Sequence, residues 1–453
     1  VILRSVAGLT ALALLVPAAP AVAAPADCAP AEFTFTALFA PYTPAASAER
    51  QVTAQCGTTL AYHPEIGVAV VNADAAFDTR FGVDRAVSAA KTRRDATGAG
   101  ALALAEEPPD RTGEQWDMRQ LRVPEAHQVT TGRREVVVGV LDTGVDGAHP
   151  ELKGAFAPEL SAGCDTGKAD PRPEAWGPKE SHGTGVAGVL ASAADGKGIT
   201  GVAPGVRIAS VQVMRPSDGY IDPEGVVCGF MWAAQHRFTL TNGSWSSGPF
   251  AFLCADRVGE KVAIEAITRA VRFAHLRGVL HVASAGNFAT DLTNPAKDPL
   301  RPEGQQAIDR NCRMLPNQLP EVVTVSATGY EKRLAGYSDF GAGVVSVTAP
   351  SGDRAQVPPV GEGPAIALSL VPGGGYGGFG GTSGAAPKVT GVLALLASRH
   401  GRVSPSVLKS LLVRTAVTPL PCPAGDARCT TDTDGRTNFY GYGMADAAKA
   451  VRA

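Results

Sequence analysis

Three short glycine-framed runs carry the residue types that a nucleophilic acyl transfer needs. The run Val138-Gly139-Val140-Leu141-Asp142-Thr143-Gly144-Val145 reads as a strand that ends in an acid. The run Ser181-His182-Gly183-Thr184-Gly185-Val186-Ala187-Gly188 puts a histidine at a helix start, and Gly381-Thr382-Ser383-Gly384-Ala385-Ala386-Pro387 puts a serine at the start of an apolar helix. A serine hydroxyl is a poor nucleophile at its own pKa and needs a base to take its proton. His182 suits that task, because an imidazole titrates near neutral pH and can later return the proton to a leaving amine. Asp142 would hold the other ring nitrogen, fixing the tautomer and stabilising the imidazolium formed during attack. Taken singly, the three residues also read as a strand-end turn residue and two helix caps. Their combination in three such motifs is what favours the chemical reading.

In content and in order, the motifs resemble the subtilisin family of serine proteases, in which Asp, His and Ser follow one another along the chain; chymotrypsin-like and α/β-hydrolase chains use other orders. The resemblance covers about 115–453. It implies a serine endopeptidase that cleaves polypeptides through an acyl-enzyme on Ser383. Ala283-Ser284-Ala285-Gly286-Asn287 resembles the family's oxyanion segment, so that Asn287 would donate its side-chain amide beside the Ser383 N–H at the helix start. Asn242 to Gly248 resembles the family's substrate-binding strand, onto which a peptide adds as an extra strand. Ser244, Trp245 and Ser246, with Ser284, Ala285 and Gly286, would then wall the pocket for the residue preceding the cut. That pocket would be roomy, without a fixed charge, and open to apolar or aromatic residues. Trp245 reads equally well as a core residue. Two positions depart from the family pattern: Gly384 stands where many members have Met, and Gly185 where many have a second His. Altered packing with retained activity is expected, with extra backbone freedom beside Ser383.

These residues need a scaffold, and the pattern supplies one. β-branched runs at Glu135 to Leu141, Val206 to Val213, Val279 to Ala283, Val322 to Ser326 and Val344 to Ala349 read as buried parallel strands. Helical spacing falls between them, at Gly183 to Ala194, Pro223 to His236, Gly259 to Leu276 and Ser383 to Arg399. The expected class is α/β, a subtilisin-like parallel sheet flanked by helices with its site at the strands' carboxyl ends. Ser404-Pro405 opens one more helix, with Ser as cap and Pro in the first turn. The glycine-rich Pro372 to Gly381 reads as a flexible loop or as tight turns approaching a site. No GK[ST] follows it, so phosphate binding is not expected.

The remainder of the chain suggests an exported precursor. Val1 to Ala24 runs from an early cation through an apolar stretch to small residues, and residues 1–23 are assigned as a secretory signal peptide. Its apolar core is about half the roughly 20 residues needed to span a bilayer, and no later apolar run is longer. A secreted, extracellular product without a membrane anchor is therefore expected. Residues 24–110 read as a small α+β unit with strands at Phe33 to Phe39 and Ile66 to Val71, closed by a Pro/Glu-rich linker over Thr97 to Gly113. By resemblance this is a prosegment that assists folding and acts as an intramolecular inhibitor, which leaves 111–453 as the peptidase domain.

Eight cysteines in an exported chain read as disulfides, with Cys422–Cys429 a local pair and Cys28–Cys56 a separate one. Their spacing does not suit zinc. A net charge of −2 with scattered basic residues gives no reason to expect nucleic acid. No cofactor is required by the chemistry. Structural calcium, which several family members bind, is possible without a placed site; Asp432-Thr433-Asp434-Gly435 lacks the terminal Glu of a calcium loop and reads as a solvated turn.

Overall fold

The computed structural model describes residues 28–92, 109–215 and 221–453. The signal-peptide assignment and most of the linker fall outside them.

Among the described residues the main sheet has nine strands. From one edge to the other they are Val417–Thr418, Met444–Ala445, Val347–Pro350, Val322–Thr328, Leu280–Ser284, Leu240–Gly243, Val137–Asp142, Arg207–Gln212 and Ala162–Gly163. All neighbours pair in parallel except the first two. Alternation of side chains along Val137–Asp142 explains the layers. Val138 and Val140 enter an apolar cluster with Val186, Val189 and Leu393, from helices His182–Ala191 and Gly381–His400. Val137 and Leu141 enter the opposite cluster with Val227, Phe230 and Ile267, from helices Pro223–Gln235 and Val258–Leu276. The strands are covered on both faces, which is why they read as continuous apolar runs.

Chain order reverses beside Val137–Asp142: the next long strand, Arg207–Gln212, lies on one side of it and Leu240–Gly243 on the other. Such a switch point opens a crevice at the carboxyl ends of the strands. Leu240–Gly243 is the central strand that the apolar pattern did not reveal; the strand expected by resemblance at Asn242 to Gly248 ends at Gly243, and 244–248 are not strand.

Residues 33–87 form a separate four-stranded antiparallel sheet, in the order Thr58–His63, Val68–Ala73, Phe33–Leu38, Ala86–Val87. One face buries Phe35, Val52, Val71, Phe77 and Phe81 in a small core of its own. The other side adds Ile66 and Val68 to the cluster around helices Pro223–Gln235 and Val258–Leu276. Polar contacts fix the docking: Arg269 Nη1 donates to the carbonyls of Phe39 and Ile66 at 2.8 and 3.0 Å, and Thr36 Oγ1 donates to Glu224.

Some local expectations shift. The glycine-rich run is an ordered hairpin, not a loose loop: Leu368–Val371 pairs with Gly375–Gly378. Its turn is at Gly373 and Gly374, both at positive φ, and Leu370 packs under the helix that begins at His182. Ser404 caps Pro405–Thr415 by accepting from Val407 N. The Asp432 turn is closed on itself, with its carboxylate accepting from the Asp434 and Arg436 amides and from the Arg436 guanidinium. No group of three or more His, Cys, Asp or Glu among the described residues could hold a metal ion, and no described helix is long and apolar enough to cross a membrane.

Disulfides join Cys28–Cys56, Cys164–Cys228, Cys254–Cys312 and Cys422–Cys429. The second ties helix Pro223–Gln235 to the edge strand across 64 residues of chain. Replacing Cys164 and Cys228 by serine is expected to lower the unfolding free energy by about 4 kcal/mol at most, from restored loop entropy. Urea unfolding of parent and variant measures it, and coincident midpoints would contradict it.

Candidate active site

Three strand ends and two helix starts converge at the crevice. Asp142 is the last residue of its strand and is buried. Its Oδ1 accepts from Thr143 N and from His182 Nδ1, both at 2.8 Å. A carboxylate can only accept, so Nδ1 carries a proton, and in the neutral ring Nε2 is the bare nitrogen. The histidine helix is seated by Gly183 N donating to Thr143 Oγ1 at 2.9 Å. Gly183 permits this approach, since a Cβ there would lie 2.3 Å from the Gly144 carbonyl oxygen. The His182 ring is one-third exposed and meets the Phe379 ring edge-on at 5.2 Å. Burial pulls the imidazole pKa down, but the charge and hydrogen bond of Asp142, with Glu180, outweigh it and hold the pKa above 6.5.

Ser383 sits in the first turn of the 20-residue helix Gly381–His400, where the first amides have no intrahelical acceptor and the helix dipole favours negative charge. Pro387 lies four residues on and has no N–H to offer the Ser383 carbonyl. Ser244 Oγ fills that place at 3.2 Å, and is itself held by Asn242 Nδ2 at 2.9 Å. The Ser383 hydroxyl donates to the Ser244 carbonyl at 3.2 Å, and no hydrogen bond joins it to His182.

Asn287 follows the strand Leu280–Ser284 and is exposed. Its Oδ1 accepts from Thr382 N at 2.8 Å and Thr382 Oγ1 at 2.9 Å. Those bonds fix which end of the amide is which, leaving the Nδ2 donor free of them. The strands Leu240–Gly243 and Leu280–Ser284 pair in register, Gly243 opposite Ala283, which brings 244–246 and 284–286 to the same rim. Several of their side chains turn away from it. Ser244 serves the nucleophile helix, the Trp245 indole N–H donates to the Leu141 carbonyl, and Ala285 is buried with Phe252 and Met314. Ser284 is buried, while Ser246 and Gly286 are partly exposed.

Both departures from the family pattern have steric causes. A Cβ at Gly185 would lie 2.7 Å from the Phe379 ring, which occupies that space and packs on His182. A Cβ at Gly384 would lie 2.5 Å from Ser351 Oγ and 2.8 Å from the Phe379 carbonyl. Ser351 Oγ donates to the Gly381 carbonyl at 2.7 Å, so the crowding is itself part of the helix-start bonding.

Thr382 and Phe379 lie in runs that the sequence marks, but nothing there gives either of them a role of its own, and Asp339 carries no signal at all. Asp339 Oδ1 accepts from Phe288 N and Thr290 N at 2.9 and 2.8 Å and so braces the loop that presents Asn287. It lies in an unremarkable Tyr-Ser-Asp-Phe run with no motif around it. A cavity of about 770 Å³ edged by Arg133, Arg237, Phe238 and Val403 opens at the opposite, amino-terminal ends of the strands. Size alone does not make it the reaction site; the paired Asp and His lie elsewhere.

The Subtilase family profile matches residues 133–443. This chain belongs to the subtilase family, a family of subtilisin-like serine endopeptidases. It is 30% identical over 326 residues to fervidolysin of Fervidobacterium pennivorans, covering 67% of this chain and 40% of that one. The sequence match thus takes in well under half the length of fervidolysin. Against subtilisin BL of Lederbergia lenta it is 27% identical over 338 residues, covering 74% of this subtilase and 98% of the relative. The epidermin leader peptide processing serine protease of Staphylococcus aureus shares the fold with a TM-score of 0.73 at 21% identity, covering 94% of this chain and all of that one. Coverage of that extent takes in the N-terminal sheet as well as the large one.

Burial lifts the Asp339 carboxyl from 3.8 to about 7, against the two backbone donors that lower it. Folding therefore favours its protonated form, and that contribution is complete below pH 3.8. It is lost as pH rises towards 7, because the unfolded chain gives up this proton first. Asp339→Asn keeps an acceptor for both amides and removes the titration. The fall in unfolding free energy from pH 4 to pH 8 should be smaller in the variant by up to about 4 kcal/mol. Denaturant unfolding at both pH values measures this, and equal pH dependences would contradict it.

Proposed function

We propose that this chain is made as a secreted precursor and hydrolyses peptide bonds as a serine endopeptidase, with Asp142, His182 and Ser383 as its triad. One observation carries the reading: the 2.8 Å Asp142–His182 pair at a strand end, packed against Phe379 just ahead of the buried helix whose first turn holds Ser383.

In the proposed reaction Ser383 turns from the Ser244 carbonyl to His182 Nε2, which takes its proton as Oγ bonds to the scissile carbon. The oxyanion accepts from Asn287 Nδ2 and Ser383 N–H. Collapse breaks the C–N bond as His182 returns the proton to the leaving amine, and water resolves the acyl-enzyme by the same steps. Asp142 holds the tautomer throughout. An imidazole held above its ordinary pKa must lose its proton to act as base, so kcat/KM rises through a pKa above 6.5. No cofactor enters these steps.

Polypeptide substrates would lie extended along the rim formed by Ser244, Trp245, Ser246, Ser284, Ala285 and Gly286, bound through main-chain pairing. The S. aureus neighbour processes a leader peptide, which fits a substrate of this kind. The sheet over 33–87, docked on helices Pro223–Gln235 and Val258–Leu276, would be the folding aid and inhibitor, released from 111–453 by cleavage in the linker. A signal peptide at 1–23 would send the product outside the cell.

A fluorophosphonate probe should form an adduct on Ser383 of the processed protein, mapped by mass spectrometry, and none in Ser383→Ala. An unlabelled processed protein beside a labelled reference protease would refute the reading in favour of a silent, peptide-binding subtilase. Asn287→Ala should lower kcat by roughly 10² to 10³ with KM little changed. An unchanged kcat would remove Asn287 from the oxyanion site.

A further inference from the structure

The helix that bears Ser383 carries a buried cation that the triad does not use. Lys388 is fully buried, and its Nζ donates to the Gly384 carbonyl at 3.2 Å. The same Nζ lies 2.9 Å from Asp117 Oδ2, on a side chain that is also buried. Neither Asp117 oxygen has another donor among the described residues. Among those residues each charge is therefore the other's counter-ion, in a place where an unpaired charge would be costly.

Asp117 belongs to the short helix Trp116–Gln120, which is fastened on three sides. Gln115 exchanges hydrogen bonds with both backbone groups of Thr200, at 3.0 and 2.9 Å. The buried Trp116 donates its indole N–H to the Pro364 carbonyl at 2.9 Å, and the Leu121 carbonyl accepts from Ala447 N at 2.8 Å. The carboxylate is thus a fixed point, not a mobile surface group. From it a line of contacts runs to Lys388 Nζ, to the Gly384 carbonyl, and so to the residue that follows Ser383.

The side chain at 384 is missing, and the carbonyl at 383 has lost its usual donor to Pro387. Ser244 replaces the second contact and Lys388 reinforces the carbonyl at 384. We propose that Asp117 and Lys388 are a positioning pair that holds the first turn of the nucleophile helix, so that the segment carrying Asp117 is an obligatory part of the active enzyme. The inference rests on the reading of Ser383 as nucleophile. It also places the end of the released prosegment before Asp117, because a cut beyond that residue would leave Lys388 buried without its partner.

Replacing a buried ion pair with apolar residues of similar size commonly preserves stability. Asp117→Leu with Lys388→Met, made together, is therefore the informative variant, with each single change for comparison. Its melting temperature is read beside kcat, KM and the fluorophosphonate labelling rate of Ser383. A positioning role predicts a folded double variant whose labelling rate and kcat fall by roughly tenfold or more while KM stays near the parent's. A folded double variant with parental labelling and kcat would overturn the proposal, leaving the pair as packing alone. N-terminal sequencing of the active, processed parent is a second test that needs no variant to fold. A start before Asp117 supports the inference, and an active species that begins after it overturns the inference. An unlabelled parent would instead overturn the protease reading itself.

Discussion

A helix that starts in the crevice and then runs through the core must have the polar groups of its first turn satisfied by other parts of the chain. In Gly381–His400 this requirement gathers the site. Ser351 serves the Gly381 carbonyl, Asn287 accepts from the Thr382 amide, Ser244 serves the Ser383 carbonyl, and Lys388 serves the Gly384 carbonyl. Three of these partners come from the ends of three different parallel strands, and the fourth brings in Asp117. Satisfying buried polar groups and positioning a nucleophile are here the same arrangement. The amide of Asn287 is oriented by the bond that also completes the helix start.

The glycine departures fit within this arrangement. Phe379 precedes the helix and occupies the space that a side chain at 185 would need, while its ring packs against His182. Its carbonyl and Ser351 together exclude a side chain at 384. A family position has been exchanged for a different local packing, in which one aromatic ring from the hairpin does the filling. The ordered hairpin is what delivers that ring, and Gly188 of the His182 helix lets the strand Leu368–Val371 lie close, since a Cβ there would fall 2.5 Å from Leu370.

The N-terminal sheet is both an independent unit and a cover. It has a core of its own around Phe35 and Phe77, yet Ile66 and Val68 join the cluster beneath the two outer helices. Arg269 reads two of its backbone carbonyls, a contact that depends on chain path and not on side-chain identity. Apolar burial and a few directed polar bonds together hold the sheet on those helices.

The sequence by itself determined the fold class, the long strands and helices, two of the four disulfides, and the strand-end and helix-start settings of Asp142, His182 and Ser383. Those signals are local: continuous β-branched runs, 3.6-residue apolar spacing, a cap at Ser404, and a short loop between Cys422 and Cys429. The tertiary structure decided what depends on contacts between distant residues. Leu240–Gly243 is too short to announce itself, although it is central in the sheet. Asp339 sits in a run without a signal, the roles of Thr382 and Phe379 depend on Asn287 and His182 far away in the chain, and Trp245 could not be assigned to core or cleft until the Leu141 carbonyl met its indole N–H. Lys388 and Asp117 are 271 residues apart in the numbering yet 2.9 Å apart in space. Nothing in either local pattern tells a buried ion from a solvated one, because burial is a property of the packed chain and not of the residue.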